Sequence, residues 1–281
     1  MTTLIFAATG NGATTEKIIV PEGVEVISDR AFENYSAATE ISLPDTLIRI
    51  GQQAFLRCSS LTQVVLPESV TTISMGGFDE CSSLREIVIK GYQLDVGMEP
   101  FGTSKTLVLY INMDSTFGEY ARENGIPAYY AHASAETNTI NVLGCATEFT
   151  VAEIPHTIGD YVVQYIEGSA FSEMDSLTEL SIDAAHIGVS VAASCGALSV
   201  INIGENVESI DYGCFNYLGY GNPNGETTIT IYAQDISIDG SAFERPYNRL
   251  VFYVVNETVR KSVENVMNNQ AITNYEIKLI E

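Results

Sequence analysis

Apolar side chains return to the same places at a fixed interval along the early part of the chain. Three segments align without a gap at a period of 23 residues: 18–40, 41–63 and 64–86. Counting the first residue of each as position zero, apolar residues fall at zero (Ile18, Ile41, Val64), two (Val20, Leu43, Leu66), six (Val24, Leu47, Val70) and nine (Ile27, Ile50, Ile73). Phenylalanine holds position fourteen (Phe32, Phe55, Phe78), proline holds position three (Pro21, Pro44, Pro67), and position twenty is Ala38, Leu61 and Leu84. Positions zero and two share one face of an extended strand, because strand side chains alternate. The pattern therefore predicts one short strand per copy, at Leu61–Leu66 in the clearest case. Proline ends that strand's ladder, since it has no N–H to give. Positions six to fourteen predict a return arm of turns and short extended or 3₁₀ pieces, anchored by the phenylalanine. One copy cannot bury its own apolar ring, whereas stacked copies share a continuous core. The expected fold is a solenoid with strands of successive coils about 4.8 Å apart.

Weaker copies follow. The one from Ile87 keeps Phe101 and Leu107 in phase but has Lys90 in place of the proline. Later copies are expected from Thr157 (Val163, Ile166, Phe171, Leu177), from a degenerate Leu180, from Ile201 (Val207, Ile210, Phe215) and from Ile229 (Ile238, Phe243). A glycine-rich insertion, Gly219–Gly225, interrupts the copy from Ile201.

Two stretches break the period and read as caps. Leu109–Tyr130 opens with a strand and predicts a helix with a Thr116–Glu119 capping box; Phe117, Tyr120 and Ala121 share a face, Gly125 closes it and Pro127 follows. Val251–Ile280 repeats the plan, with Val259, Val263, Val266 and Met267 at helical spacing and a closing strand near Asn274–Ile280. The expected organisation is an N-terminal cap (1–17), a first array (18–108), a first cap (109–133), a linker with lead-in strands (134–156), a second array (157–250) and a second cap (251–281). The linker proper is Ala131–Asn138, with the boundary near Ser134.

Composition narrows the function. With 13 Lys and Arg against 36 Asp and Glu, the net charge is −23, so no basic stripe exists to displace the counterions of nucleic acid or to dock on anionic lipid. No apolar run approaches the roughly 18 residues of a membrane helix. Met1–Gly12 has no basic residue before its apolar run Leu4–Ala8 and does not read as a signal peptide. The 5 cysteines leave one unpaired in any scheme, and their spacing matches no zinc site.

The repeat resembles the bacterial BspA-type (Treponema-type) leucine-rich repeat, whose motif reads xIxLPxSVTxIGxxAFxxCSSLTxI. Residues 64–86 match nearly letter for letter, including Phe78, Cys81, Ser82, Ser83 and Leu84, and residues 41–63 nearly as well. The likeness is strong over 17–107 and weaker over 157–250. It implies a leucine-rich-repeat solenoid, mostly β with irregular return arms and one helix in each strand-helix-strand cap. It also implies a surface or secreted protein of a host-associated bacterium, active in adhesion, host-matrix binding or co-aggregation. A non-catalytic module with a protein or host-matrix partner and no cofactor or metal follows from it.

Such scaffolds commonly bind on a concave sheet. The outward strand positions are Glu40, Ser42, Gln63, Val65, Glu86, Val88, Glu179, Ser181, Asn202 and Thr230, expected to act as a surface rather than singly. A carbohydrate-active enzyme is a rival, since Glu40 and Glu86, two coils apart, would stand about 9–10 Å from each other, near the spacing of inverting glycosidase carboxylates. Against it, Gln63 lies between them and no aromatic cluster surrounds them. A passive spacer is the third reading. Cys58 and Cys81 share a phase, so a disulfide is geometrically conceivable, but two buried thiols are the expectation, with Cys195 and Cys214 near the same phase. His132, His156 and His186 are expected on surface or loops, outside any triad. Gly10-Asn11-Gly12 and Gly219-Tyr220-Gly221 read as turns, and Asp235–Gly240 lacks the ligand density of a calcium loop. Tyr217 and Tyr220, with Tyr129 and Tyr130, are candidates for an exposed aromatic patch or for simple cover at array edges.

Overall fold

Alternation and the ladder together explain the strands. A computed structural model describes residues 3–4, 16–92, 94–102, 107–113, 115, 117–221 and 225–280. The expected N-terminal cap and the Gly10-Asn11-Gly12 turn therefore lie outside the described residues, save for the strand Thr3–Leu4 and residues 16–17; so do Thr116 with its capping box and the centre of the glycine-rich insertion. The chain divides into two units, Met1–Tyr130 and Ala131–Glu281. Each is a β-solenoid, with about 11 turns in all.

In the first unit every coil contributes a front strand and a two-residue back strand. Front strands run parallel: Lys17–Ile19 pairs with Glu40–Ser42, and Gln63–Leu66 with Glu86–Ile89, both at a register of 23. The back ladder keeps the same register through Thr3–Leu4, Val26–Ile27, Arg49–Ile50, Thr72–Ile73 and Asp95–Val96. Proline at position three does stop the ladder. Where Lys90 replaces it, the restored N–H donates to the Leu66 carbonyl at 3.2 Å.

The return arm satisfies its backbone by alternation. Even positions reach the next coil: Arg30, Phe32 and Asn34 N–H donate to the carbonyls of Gln52, Ala54 and Leu56. Odd positions close turns within the coil, as Ala31 does on Ser28 and Glu33 on Arg30. Pairing of this kind is what lets an irregular arm lie against a core. The turns place positions twelve and sixteen in the left-handed region: Arg30 and Asn34, Gln53 and Arg57, Gly76 and Glu80. Phe32, Phe55 and Phe78 stack in a column with centroids 5.1 and 5.0 Å apart and rings within 6° of parallel. Phe101 continues it at 6.2 Å, and Phe117 of the cap helix closes it edge-on.

The second unit uses the same coil with altered lengths. Its front sheet is Val151–Ile154, Glu179–Ile182, Val200–Ile203, Glu226–Ile231, Arg249–Val254 and Tyr275–Leu279, all parallel. Its back ladder runs Tyr161–Ile166, His186–Ile187, Ser209–Ile210 and Ser237–Ile238. The expected start of this array at Thr157 is corrected. The front strand is Val151–Ile154, and Thr157–Ile158 instead forms an antiparallel hairpin with Tyr161–Val162. That hairpin lengthens the coil, so Leu180 stands 28 residues after its ladder partner Ala152. The next step, Leu180 to Ile201, takes 21 residues, and the glycine-rich insertion makes the one after it 28. The expected linker Ala131–Asn138 is also corrected: Ala128–Ser134 and Thr139–Cys145 are strands, leaving a turn between them. Within the Phe column of this unit, Phe171 N–H donates to Val191 and Ala192 N–H to Cys214, so Ala192 holds the place of a ring.

Both caps are strand-helix-strand. The helix α1 (Phe117–Glu123) lies between Val108–Ile111 and Ala128–Ser134, and α2 (Glu257–Asn269) between Arg249–Val254 and Tyr275–Leu279. Asn256 caps α2 through its side chain, which accepts from Val259 N–H at 3.0 Å, and Val259, Val263, Val266 and Met267 are buried. Both helices end in the same pair of bonds: Ile126 to Ala121 and Gly125 to Arg122 in the first, Ile272 to Met267 and Ala271 to Asn268 in the second. Each pair requires a left-handed residue, Gly125 at φ 63° and Ala271 at φ 52°. Glycine costs nothing there and alanine does, so Ala271→Gly should stabilise the protein by about 0.5–1 kcal/mol. A melting curve should show a rise of about 1–4 °C, and a fall would contradict the strain.

Candidate functional site

The outer face of the front strands is built by register. In the first unit one row runs Gln63, Glu86, Val108 and another runs Val65, Val88, Tyr110, Tyr129. Glu40 and Ser42 stand beside Lys17 and Ile19. Glu40 is ion-paired to Lys17. Glu40, Gln63, Val65 and Glu86 are half-buried and Ser42 is exposed. Val88 departs from expectation. It occupies the outward row yet is only 3% exposed, as are its ladder neighbours Tyr110 (2%) and Tyr129 (1%), whose rings stack at 5.5 Å. A large aromatic on each following strand removes that row from water. Tyr129, one of the aromatics considered for an exposed patch, is therefore buried.

In the second unit the outward rows are more open. Glu179 aligns with Val200, Thr228, Val251 and Glu276. Glu153, Ser181, Asn202, Thr230, Tyr253 and Lys278 form the companion row. Asn202 Nδ2 donates to Ser181 Oγ at 3.1 Å and to Glu179 Oε1 at 3.4 Å. At the capped end Arg249 joins Glu226 and Glu276, and the Lys278 ammonium lies 3.4 Å from Glu276 and 5.3 Å from the Tyr253 ring centre. Ion pairs this exposed add little stability. Their effect is to order the polar groups along one edge of the sheet.

The back ladder brings together groups that the sequence kept apart. His186 Nδ1 is 3.0 Å from Ser209 Oγ, and its Nε2 is 4.0 Å from Glu208 Oε2. Tyr165, 5.8 Å away by ring centres, donates its hydroxyl to Asp211 at 2.8 Å. That hydrogen bond, chiefly, pushes the Tyr165 phenol up to about 12. His186 and Ser209 are cross-strand partners one coil apart, invisible without the register. The serine and histidine resemble a nucleophile and base. Acyl transfer also needs free N–H donors for the oxyanion, and here the N–H groups of Glu208, Ser209 and Asp211 all bind the previous coil. The group reads as a side-chain ladder. His132 is exposed, on the strand Ala128–Ser134, and holds the expected surface placement; His186 is half-buried on a back strand, which corrects its placement, and His156 keeps a buried Nδ1 with no partner among the described residues.

All five cysteines are free thiols. Cys58, Cys81 and Cys195 do the same job, donating S–H to the carbonyl of the phenylalanine one coil earlier: Phe32 at 3.3 Å, Phe55 at 3.2 Å and Phe171 at 2.9 Å. Cys214 does not share that phase; it directly precedes Phe215. The adjacent Cys58 thiol and burial push Cys81 up, and burial pushes Cys195 up to about 11. Cys81 and Cys195 are therefore structural thiols held protonated rather than nucleophiles. Asp239, in the stretch considered for calcium, accepts from Ser241 N–H at 2.8 Å and serves the turn.

A concavity of about 480 Å³ opens on the return-arm side of the second unit, lined by Glu173, Asp175, Ser194, Tyr217, Tyr220 and Tyr247. Tyr217 and Tyr220 were legible as exposed aromatics. The other four come from neighbouring coils and needed the register to be found. Tyr220 donates its hydroxyl to Asp175, which raises its pKa, and its ring lies so close over Gly196 that a Cβ there would meet it at 2.7 Å.

Parallel two-sided coils of about 23 residues, with a phenylalanine column and proline-ended front strands, define a leucine-rich-repeat solenoid. The sequence profile of the BspA type leucine rich repeat region matches 6 copies over residues 8–124 and 149–222, and the chain belongs to that family. Among solved structures it is similar to a leucine rich cell surface protein from Faecalibacterium prausnitzii A2-165, at 18% identity over 95% of this chain and 88% of the other, with a TM-score of 0.36. A leucine-rich repeat protein from Bacteroides ovatus matches at 19% identity over 94% and 69% of the two chains, with a TM-score of 0.30. The leucine rich repeat protein of T. pallidum matches at 16% over 90% and 84%, with a TM-score of 0.26. No curated protein sequence matches significantly. Among the described residues no helix is long and apolar enough to cross a membrane.

Proposed function

We propose that the chain is a non-catalytic binding module of a bacterial surface or secreted protein, taking a protein or host-matrix ligand on the outer face of its front strands. One observation carries the reading. In the second unit Ser181, Asn202, Thr230 and Tyr253 form a continuous half-exposed row, polar but for the ring, at the pitch of the ladder. A row of this kind offers repeated hydrogen-bonding groups on a rigid sheet, so little conformational entropy is lost when a ligand binds. These side chains lie on the face of the sheet opposite the core. Membership in the BspA-type family supports the surface location.

The test replaces the row without touching the core. A triple variant Ser181→Arg, Asn202→Arg, Thr230→Arg should bind immobilised host-matrix proteins at least about tenfold more weakly than wild type, a loss of about 1.4 kcal/mol. Its melting temperature should stay close to that of wild type. Unchanged binding by a folded triple variant would remove the face from the proposal, and failure of the wild-type protein to bind any matrix preparation would favour a passive spacer.

A further inference from the structure

The concavity on the return arms has a chemistry of its own. Its floor is one ladder column. Glu173, Ser194 and Tyr217 are the left-handed, position-sixteen residues of three successive coils, at φ 61°, 60° and 61°. Their backbones are joined coil to coil, since Glu173 N–H donates to Ala193 and Ser194 N–H to Asn216. Glu173 is exposed and Ser194 and Tyr217 are half-buried, so this column reaches the surface.

The first unit shows what such a column does when it is self-sufficient. There the same position is Asn34, Arg57 and Glu80, and the Arg57 guanidinium forks onto the Glu80 carboxylate at 2.9 and 3.2 Å. The pair holds the Arg57 guanidinium up and the Glu80 carboxyl down from their ordinary values. In the second unit the glutamate is kept but the arginine is not: Ser194 stands next to Glu173. The Glu173 carboxylate makes no hydrogen bond or ion pair among the described residues, and the lining holds a second carboxylate, Asp175, with no basic side chain. Arg245, next in the column, lines a separate cavity of about 400 Å³ that shares only Tyr247 with this one.

Three tyrosines complete the walls. Tyr220 and Tyr247 are 44% and 55% exposed, large values for rings held in place on a rigid scaffold. Tyr220 is fixed by its bond to Asp175 and its seat on Gly196. Aromatic faces beside an unpaired carboxylate are the surroundings an organic cation prefers, because ring quadrupole and charge attract it together. A planar guanidinium fits best, since it can both stack on a ring and fork onto a carboxylate. A net charge of −23 raises the local concentration of such a group.

We propose that this cavity binds an arginine side chain presented by a partner protein, which takes the place beside Glu173 that Arg57 holds beside Glu80. The site is separate from the front-strand face and does not rest on the function proposed for that face.

Hexa-arginine peptide is the probe, with hexa-citrulline as its neutral isostere, and binding is followed by calorimetry at 0.15 and 0.5 M salt. The arginine peptide should bind at least tenfold more tightly than the citrulline peptide at both. Glu173→Gln, an exposed change with no native partner to lose, should weaken it at least fivefold. Tyr247→Ala should weaken it by a similar factor. Ser194→Arg should block the site by setting a guanidinium one coil from Glu173, the first unit's ion pair in reversed order. Glu22→Gln, an exposed change on the other unit, should change binding less than twofold, which separates the cavity from diffuse acidity. Equal binding of arginine and citrulline peptides would overturn the proposal. So would wild-type affinity in both Glu173→Gln and Ser194→Arg, or spermidine binding as tightly as the peptide with the same sensitivity to these variants. The sheet-row triple variant should bind the peptide as wild type does, so the two proposals fail separately.

Discussion

Replacing Phe55 by alanine should cost the protein about 3–5 kcal/mol, the range for deleting a fully buried aromatic ring. Phe55 is the middle ring of the column, wholly buried, with Phe32 5.1 Å on one side and Phe78 5.0 Å on the other. Its removal opens a void between two parallel rings that cannot close, because their backbones are pinned by the return-arm bonds of Phe32 to Ala54 and Phe55 to Gly77. Two stacking contacts, each worth about 0.5–1.5 kcal/mol, go with the buried area. Phe55→Leu fills most of the space and should lose distinctly less. Urea unfolding followed by circular dichroism reads the change. Each coil touches only its neighbours, so hydrogen exchange should quicken first in the coils on either side of the void. A loss below about 1 kcal/mol would mean that the column is not the spine of the unit.

The first unit was legible because its period is unbroken. One register of 23 serves both ladders, so a residue's place in the sequence gives its place in the coil. The second unit hid its register for a physical reason. Ladders constrain only the strands, and the links between them are free to lengthen. Val163, Ile166 and Phe171 keep their spacing after the Thr157–Ile158 hairpin, and that agreement drew the expected start of the coil onto the hairpin itself. Ala192 then removed the phenylalanine that would have reset the count.

The outward rows followed from alternation alone, and Ser181, Asn202 and Thr230 do align. Alternation says which way Val88 points. It does not say what covers it, and the covering comes from Tyr110 and Tyr129 beyond the repeat. The tyrosine concavity was half legible. Tyr217 and Tyr220 stand out at and just before the insertion, whereas Glu173 and Ser194 become their neighbours only through a column whose coils are 21 and 28 residues long on the front sheet. The Ser209–His186 contact spans the ordinary 23 residues of the back ladder, and it stayed hidden because the front-sheet steps around it, 21 and 28 residues, break the count.

Gly51→Ala tests the stacking distance directly. The residue follows the back strand Arg49–Ile50, and its N–H donates to the Ile27 carbonyl of the preceding coil at 2.9 Å. A Cβ built there would lie 2.6 Å from Asp29 N and 2.6 Å from Ser28 C, both backbone atoms. Neither can rotate away, so the added methyl must part the two coils or bend one of them. Overpacking of this kind costs about 1–3 kcal/mol. Gly97, two coils on, shows the same closeness, with Met75 N at 2.4 Å from its would-be Cβ. Ser74 occupies the equivalent place in the coil between them and already carries a side chain, which accepts a bond from Arg49 at 3.3 Å. Ser74→Ala removes only a half-buried hydroxyl with one long bond and should therefore stay within about 0.5 kcal/mol of wild type. The pair of variants separates coil spacing from the mere presence of a methyl group at this position. If Gly51→Ala unfolds at the same urea concentration as Ser74→Ala, the coils are not held at contact distance by their glycines, and that motif residue would need another explanation.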